Sequence, residues 1–355
     1  MTAINSITTL AEAGLVAREQ LAALEAVAEK YAVAVTETVA GLIDRSDPLD
    51  PIARQFVPSE RELHVTPEER TDPIGDNTHS PVPGIVHRHR DRVLFKIVNA
   101  CPVYCRFCFR RETVGQGGDS ALFPETYSQA IDYIAAHPEI WEVIFTGGDP
   151  FILTPRRIGD VSAKLAAIAH VKMLRWHTRV PVVDPLRITD AMIASLIVPG
   201  ATTIAAVHVN HPRELGPDAR RAIAKLVDAG IPVVSQSVLL HGVNDDVATL
   251  EALMRALLEC RIKPYYLHHP DLAPGTSHFR VTIDEGLALI RSLRARLSGL
   301  AIPTYVLDIP GGYAKVPLES RDAEKTATGW RLRDHDGRWH AYPPPDVIPD
   351  APEAI

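Results

Sequence analysis

The sequence predicts an α/β fold in which parallel strands are joined by helical crossovers, either a barrel or a doubly wound sheet. Three observations carry the prediction. Strand-like segments alternate with helical ones six times in succession between residues 92 and 269, and strands separated by helices pair in parallel. Unusual polar residues recur at the carboxyl ends of those strands, which is where parallel α/β barrels build their active sites. The composition, 46% hydrophobic and 23% charged over 355 residues, is that of a globular chain able to bury a large core.

Taken in order, residues 5–45 are rich in Ala, Leu, Val and Glu and read as two helices split near Lys30 and Tyr31. Residues 46–92 turn to Pro, Asp, Arg and His, but "IARQFVP" and "SPVPGIVHR" keep apolar anchors that fit a connector lying against a core better than a free linker. The strand segments follow: "RVLFKIVN", "WEVIFTGG", "VKMLRWHT", "ATTIAAVHV", "IPVVSQSVLL" and "IKPYYLHH". Helical stretches such as "YSQAIDYIAAH", "ARRAIAKLVDAG" and "VATLEALMRALLEC" separate them. A further helix over 282–299 precedes one more strand, "PTYVLDIPGG", and the polar last 30 residues read as an extended tail. The expected division is 1–92 for helices and connector, 93–300 for the βα core and 301–355 for a C-terminal segment.

A formal net charge of −7 argues against a general nucleic-acid binder, which needs a basic surface to neutralise phosphates. The first 20 residues lack the basic start and apolar core of a signal peptide, and no apolar run reaches the length of a membrane span. The expectation is therefore a cytoplasmic protein, in which clustered cysteines point to metal rather than disulfides.

Three of the four cysteines, Cys101, Cys105 and Cys108, stand on one loop after the first strand in the spacing C-x3-C-x2-C. Structural zinc sites need four protein ligands, and Cys260 is remote in sequence, at the end of a predicted helix, and reads as a core residue. Three thiolates with one open corner suit a [4Fe–4S] cluster. Zinc and redox-sensing cysteines are the alternatives.

This spacing, at this place in a βα series, resembles the radical S-adenosylmethionine (radical SAM) enzymes. The resemblance implies an open (β/α)6 partial barrel of TIM-like type, with an N-terminal helical segment and a C-terminal extension. It also implies that "TGGD" presents Gly147, Gly148 and Asp149 to S-adenosylmethionine, with His208 and Gln236 lining the same pocket. Near the C-terminus, "DIPGGYAKVP" resembles the pyridoxal-phosphate (PLP) lysine motif of the lysine 2,3-aminomutase family. "DNTHSPVPGIVHRHRDRVLF", "CPVYCRFCFRR", "GGDPFIL", "TRVPVV", "HVNHP", "VVSQSVLLHGVND" and "YYLHHPDLAPGTSHFR" resemble that family in the same order, so the likeness covers roughly residues 50–320.

By position, the resemblance assigns Lys315 to the covalent attachment of PLP, Arg88 and Arg92 to contacts with it, and Arg110 to the substrate carboxylate. Asp271 and Asp308 match the two carboxylates that receive the side-chain ammonium of lysine. Two acidic groups facing one buried site repel unless a cation is expected between them, which favours lysine and leaves arginine open. Arg179 matches a phosphate or loop-ordering contact, Asn210 and His211 have weaker matches, and Arg111 receives no role.

The activity implied is an isomerase, an L-lysine 2,3-aminomutase that moves the α-amino group to the β-carbon by radical chemistry with a [4Fe–4S] cluster, S-adenosylmethionine and PLP. An aminomutase making (R)-β-lysine for elongation factor P, or one acting on another cationic amino acid such as arginine, is the alternative. The short length favours the elongation-factor branch, whereas an aspartate at position 308 argues against it. A radical enzyme without PLP and a non-catalytic iron–sulfur or zinc protein are the rivals from other classes. The expected partners are a small-molecule substrate and an electron donor such as flavodoxin or ferredoxin, without nucleic acid or membrane, and a homo-oligomer is left open. The long relatives carry C-terminal zinc-binding cysteines; with no cysteine after Cys260, no structural zinc is expected.

Overall fold

The computed structural model describes residues 4–115, 122, 124–319, 323–327, 329–333 and 338–342. At the N-terminus α1 (Ile7–Glu12), α2 (Leu21–Ala28) and α3 (Glu37–Leu42) replace the two helices expected over 5–45. The extra break is local: Ser6 caps α1, its hydroxyl accepting from the Thr9 amide at 3.1 Å, and the helix ends at Ala13. The gap between α2 and α3 lies at the expected split, where Tyr31, Val33 and Val35 are buried. The connector is anchored as its composition suggested, with α4 (Pro51–Phe56) burying Ile52 and Phe56, and Ile74 and Ile85 buried further along.

Ahead of the βα series one strand was not anticipated. β1 (Ile85–His89) forms within the basic "HRHR" stretch and folds back antiparallel on β2 (Arg92–Val98), with Ile85 opposite Phe95. After β2 come β3 (Glu142–Gly147), β4 (Met173–Thr178), β5 (Thr202–His208), β6 (Val233–Val238), β7 (Lys263–His268) and β8 (Thr304–Asp308), all parallel, then β9 (Lys315–Pro317), antiparallel to β8. The crossovers carry α5 (Pro124–Ala136), α6 (Pro155–Ala166), α7 (Val180–Val183), α8 (Asp190–Leu196), α9 (Pro217–Asp228), α10 (Val247–Glu259) and α11 (Ile283–Arg296).

Each strand of this nine-stranded sheet neighbours the next in sequence, with no reversal of order. A doubly wound sheet requires such a reversal, so the fold is a partial barrel, open between β1 and β9. The gap is spanned by Arg88 of β1, whose Nη2 lies 3.7 Å from Asp308 Oδ1, and by the Gly311 amide donating to the Pro73 carbonyl at 2.8 Å.

Strand alternation gives the wall two faces. Phe95, Phe145 and Trp176 point outward to the helices, with ring centroids 5.9 Å apart for the first pair and 3.8 Å for the second, all fully buried. Each such side chain contributes about 2–3 kcal/mol through removal from water. Their neighbours on the other face, Lys96, Thr146, His177, His208, Gln236 and His268, line the lumen as half-buried or buried polar residues. The expected extended tail is corrected over part of its length. Strands β10 (Ala323–Thr326), β11 (Gly329–Arg333) and β12 (Trp339–Tyr342) form a separate antiparallel sheet, and 343–355 lie outside the described residues. Its strands carry too little apolar alternation to be read in advance. Among the described residues no helix is long and apolar enough to cross a membrane.

Candidate active site

The cysteine loop leaves the carboxyl end of β2 and is clamped from below. Arg106, fully buried, sends Nε and Nη2 to the carboxylate of Glu62 at 3.0 and 2.6 Å, and Arg111 bonds the same carboxylate. Arg111 also donates to the carbonyls of Arg106 at 2.8 Å and Gly275 at 3.3 Å. The residue without a role in the sequence thus ties the loop to its support. Burial pushes the Cys101 thiol well up and Cys108 to about 11, so both are neutral thiols at pH 7 until a cation joins them.

The glycines of "TGGD" are dictated by the chain itself. Gly147 has φ +104°, and a Cβ on it would lie 2.3 Å from the Val98 carbonyl oxygen; one on Gly148 would lie 2.1 Å from that of Ala100. Backbone of the glycine turn therefore packs directly on the start of the cysteine loop, with Gly148 N donating to Val98 O at 2.7 Å and Asp149 N to Ala100 O at 3.0 Å. The Asp149 carboxylate is taken up by the protein. It accepts from the amides of Phe151, Arg179 and Val180 and from the Thr178 hydroxyl, between 2.6 and 3.2 Å. Asp149 thus pins β3 to β4, and its carboxylate leaves no open face to a ligand.

Across the lumen the polar residues form a continuous lining. Gln236 Nε2 is 3.2 Å from His177 Nε2, and the rings of His177 and His208 are 6.3 Å apart. Burial lowers His208 to about 3 and His177 well below its ordinary value, so both rings are neutral. Arg110 reaches back over the lumen from the cysteine loop, Nε to Asp76 Oδ2 at 2.8 Å and Nη1 to Thr146 Oγ1 at 3.1 Å. Beside it lies a cavity of about 300 Å³ lined by Asp76, Lys96, Asn99, Arg110, Thr113 and Gly147, among others.

On the far side Lys315 enters from β9. Its Nζ bonds Asp308 and lies 3.3 Å from His268 Nδ1 and 5.4 Å from the Tyr266 ring centroid. Burial and the Lys315 charge lower the His268 ring to about 4, so it is neutral at pH 7. Burial would raise Asp308, but the His268 ring and Lys315 outweigh it and hold the carboxyl well below its usual range. Asp271 takes the opposite course. Burial, then the Asp308 charge, push it up to about 7, with Lys315 and Arg110 pulling back. Among the described residues, Arg88 Nε, His268 Nε2 and Asp308 Oδ1 are buried without a hydrogen-bond partner. Arg92 stands apart at the start of β2, its side chain about a third exposed (34%) and paired with Asp91 at 2.7 Å.

The comparisons with known proteins agree with this geometry. Residues 95–254 match the radical SAM superfamily profile. An L-lysine 2,3-aminomutase from Clostridium subterminale is 40% identical over 286 residues, 81% of this chain and 68% of that protein. One from Escherichia coli strain K12 is 36% identical over 306 residues, covering 85% and 88%. The chain belongs to the lysine 2,3-aminomutase family. A glutamate 2,3-aminomutase from Clostridioides difficile strain 630, 34% identical over 89% of this chain and 74% of that protein, lies within the same range.

Membership of the radical SAM superfamily brings a [4Fe–4S] cluster and S-adenosylmethionine, and the residues fit that cluster. Three thiols share one loop, and Arg179 Nη1 donates to Cys105 Sγ at 2.9 Å, a donor suited to an anionic sulfur. Several members of this aminomutase site escape a sequence reading. Asp76, Lys96, Tyr266 and His268 stand within quoted motifs, but nothing local distinguishes a lumen-facing side chain from its neighbours. Glu62 carries no signal at all, because its partners are 44 and 49 residues away.

Proposed function

We propose that this chain is an L-lysine 2,3-aminomutase that uses PLP on Lys315 together with its cluster and S-adenosylmethionine. The observation that carries the reading is the pair Asp271 and Asp308 on the Lys315 side of the lumen, within electrostatic reach of each other, with Arg110 in reach of Asp271. A substrate with a carboxylate at one end and an ammonium at the other complements that arrangement. Arg110 takes the carboxylate in exchange for Asp76. Asp308 and Asp271 take the side-chain ammonium, and its arrival favours ionisation of Asp271, which burial and Asp308 otherwise oppose.

The polar atoms left over at this end support a place for PLP. Arg88 Nε, a donor, and His268 Nε2 are buried polar atoms without a partner among the described residues, suited to the polar groups of such a cofactor. Arg92 would add a second, more exposed contact. When bound, the cluster and S-adenosylmethionine supply a radical able to remove hydrogen, and PLP supplies the conjugation through which nitrogen migrates. The chain does the rest. Lys315 would hold the cofactor beside the neutral His268, and Asp308 would face the side-chain ammonium of the substrate. The uncharged His177, His208 and Gln236 line the space between the cluster side and the lysine side, a polar but chargeless wall. Gly147 and Gly148 keep the backbone close to the cysteine loop, where S-adenosylmethionine docks. The reducing electron comes from a one-electron donor such as flavodoxin or ferredoxin.

The test is an anaerobic panel in which reconstituted protein receives L-lysine, L-arginine or L-glutamate, with products resolved by mass spectrometry. A β-amino product from lysine alone is expected. Turnover of glutamate in preference to lysine would overturn the assignment of the aspartate pair, and turnover of arginine would move the function to another cationic amino acid.

A further inference from the structure

Arg179 is a buried charge in direct contact with the cluster loop that the proposed chemistry leaves unused. It follows β4 as the residue preceding α7 and is buried, at 6% exposure. Its guanidinium packs 4.4 Å from the centroid of the Phe56 ring and 5.4 Å from that of Phe107. Nη2 donates to Gln55 Oε1 at 2.6 Å and Glu214 Oε2 at 2.7 Å, and the backbone amide donates to Asp149 Oδ2 at 2.6 Å. Nη1 goes to the sulfur of Cys105 at 2.9 Å.

Glu214 cannot relax away from this contact. Its Oε1 accepts from the amides of Asn210 and His211, both at 2.9 Å, and from Gln55 Nε2 at 3.2 Å. An arginine needed only to balance Glu214 would be satisfied by Nη2. A neutral thiol is a weak acceptor, so directing a buried guanidinium N–H at it gains little until the sulfur becomes an anion.

We propose that Arg179 is a positioning residue for the iron–sulfur cluster, donating a charge-assisted hydrogen bond to the Cys105 thiolate and so favouring the reduced state. This rests on the cluster assignment for Cys101, Cys105 and Cys108. Reduction adds one electron from an external one-electron donor, and the cluster gains one negative charge with no bond made or broken. A fixed cation in contact with a ligand sulfur is stabilised by that charge, in a setting where aromatic rings exclude water and screening is weak. Glu214 opposes the effect from one bond further away. Arg179 therefore prevails, and the pair sets the potential by the difference between a near cation and a farther anion. The same residue bonds Asp149 through its amide, so the sulfur contact and the glycine turn are held in one register.

The test is a redox titration of the reconstituted full-length protein without S-adenosylmethionine or substrate, following the reduced cluster by electron paramagnetic resonance. In R179M the ratio of reduced to oxidised cluster at a fixed potential is expected to fall about tenfold, a 59 mV shift for a one-electron couple. E214Q is expected to shift the ratio the other way by a similar factor, since the same arginine loses its opposing charge. The double variant R179M/E214Q should return towards the wild type. Opposite signs are the signature, because a merely structural disturbance would not raise the potential in one variant and lower it in the other. Unchanged potentials, or shifts of the same sign in R179M and E214Q, would overturn the proposal. If R179M fails to hold a cluster, E214Q decides: a positive shift supports the assignment and no shift refutes it. A wild-type protein that cannot be reconstituted at all would remove the cluster, and this inference with it.

Discussion

The cluster side and the lysine side of the lumen balance their charges differently. Around the cysteine loop the balance is internal and permanent. Glu62 is held by Arg106 and Arg111, the Asp149 carboxylate by three amides and a hydroxyl, and Glu214 by Arg179, Gln55 and two amides. Around Lys315 it is provisional: Asp308 lies between Lys315, Arg88 and His268, and its Oδ1 makes no hydrogen bond among the described residues, unlike the oxygens of Glu62, Asp149 and Glu214. A site that must hold a fixed group benefits from partners that never change. One that must exchange a lysine side chain, a cofactor and a substrate ammonium on the same carboxylate needs partners that can be replaced. Substitutions on the first side should therefore act through the scaffold and the bound cluster and be insensitive to substrate, and those on the second through occupancy by cofactor and substrate.

The largest effect is expected from K315A. Turnover should fall by at least about a thousandfold, with the visible absorption of the cluster retained and the covalent PLP adduct lost. Appreciable turnover would show that the lysine side does not depend on its central residue. Next comes E62A, which leaves two buried arginines without a counter-charge and should destabilise the fold by about 3–5 kcal/mol. Denaturation of the apoprotein should reveal this loss undiminished in the absence of every ligand. D308N should raise the lysine dissociation constant about a hundredfold or more and should cost the ligand-free protein less stability than E62A, because the Lys315 side chain it leaves unpaired is partly exposed (21%) whereas Arg106 and Arg111 are buried. An equal loss of stability in D308N and E62A would erase the distinction between the sides.

A smaller effect concerns pH. Asp271 sits near pH 7 because of burial and Asp308. A carboxyl raised in this way is neutral below that value and ionised above it, so affinity for a cationic side chain should improve as pH rises. From pH 6 to pH 8 the ionised fraction grows about tenfold, and lysine affinity measured by equilibrium binding should follow it. D271N should flatten the profile. The smallest effect is expected from R92M, since an exposed pair contributes no more than about 1 kcal/mol. PLP retention should weaken a few-fold there, and much more in R88M.

The parts of this molecule that could be read from sequence are those whose reason is local. The βα rhythm, the spacing of Cys101, Cys105 and Cys108, the double glycine and the Pro-Gly-Gly approach to Lys315 each state their purpose within a dozen residues. Glu62 and Asp76 do not, because their meaning comes from arginines brought to them by the path of the connector. His268 and His269 are adjacent, and only the register of β7 decides which faces Lys315 and which bonds Tyr305 at 2.8 Å. β1 was hidden by its charge: Ile85 and Val86 read as apolar anchors, but the His and Arg that follow give no strand alternation, and only the pairing of Ile85 with Phe95 shows the hairpin. Asp149 is legible as a motif residue, but only the fold shows its carboxylate tied to the Thr178 hydroxyl and to the amides of Phe151, Arg179 and Val180.

The most direct measurement is anaerobic turnover of a mixture of unlabelled L-lysine and L-lysine carrying 13C at every carbon and 15N at both nitrogens, with separation of the products on a chiral column. The account predicts β-lysine in which fully labelled and unlabelled molecules appear without crossing, since nitrogen moves within one bound substrate held by Arg110, Asp271 and Asp308. Absence of β-lysine from protein with a verified cluster and bound PLP would contradict it.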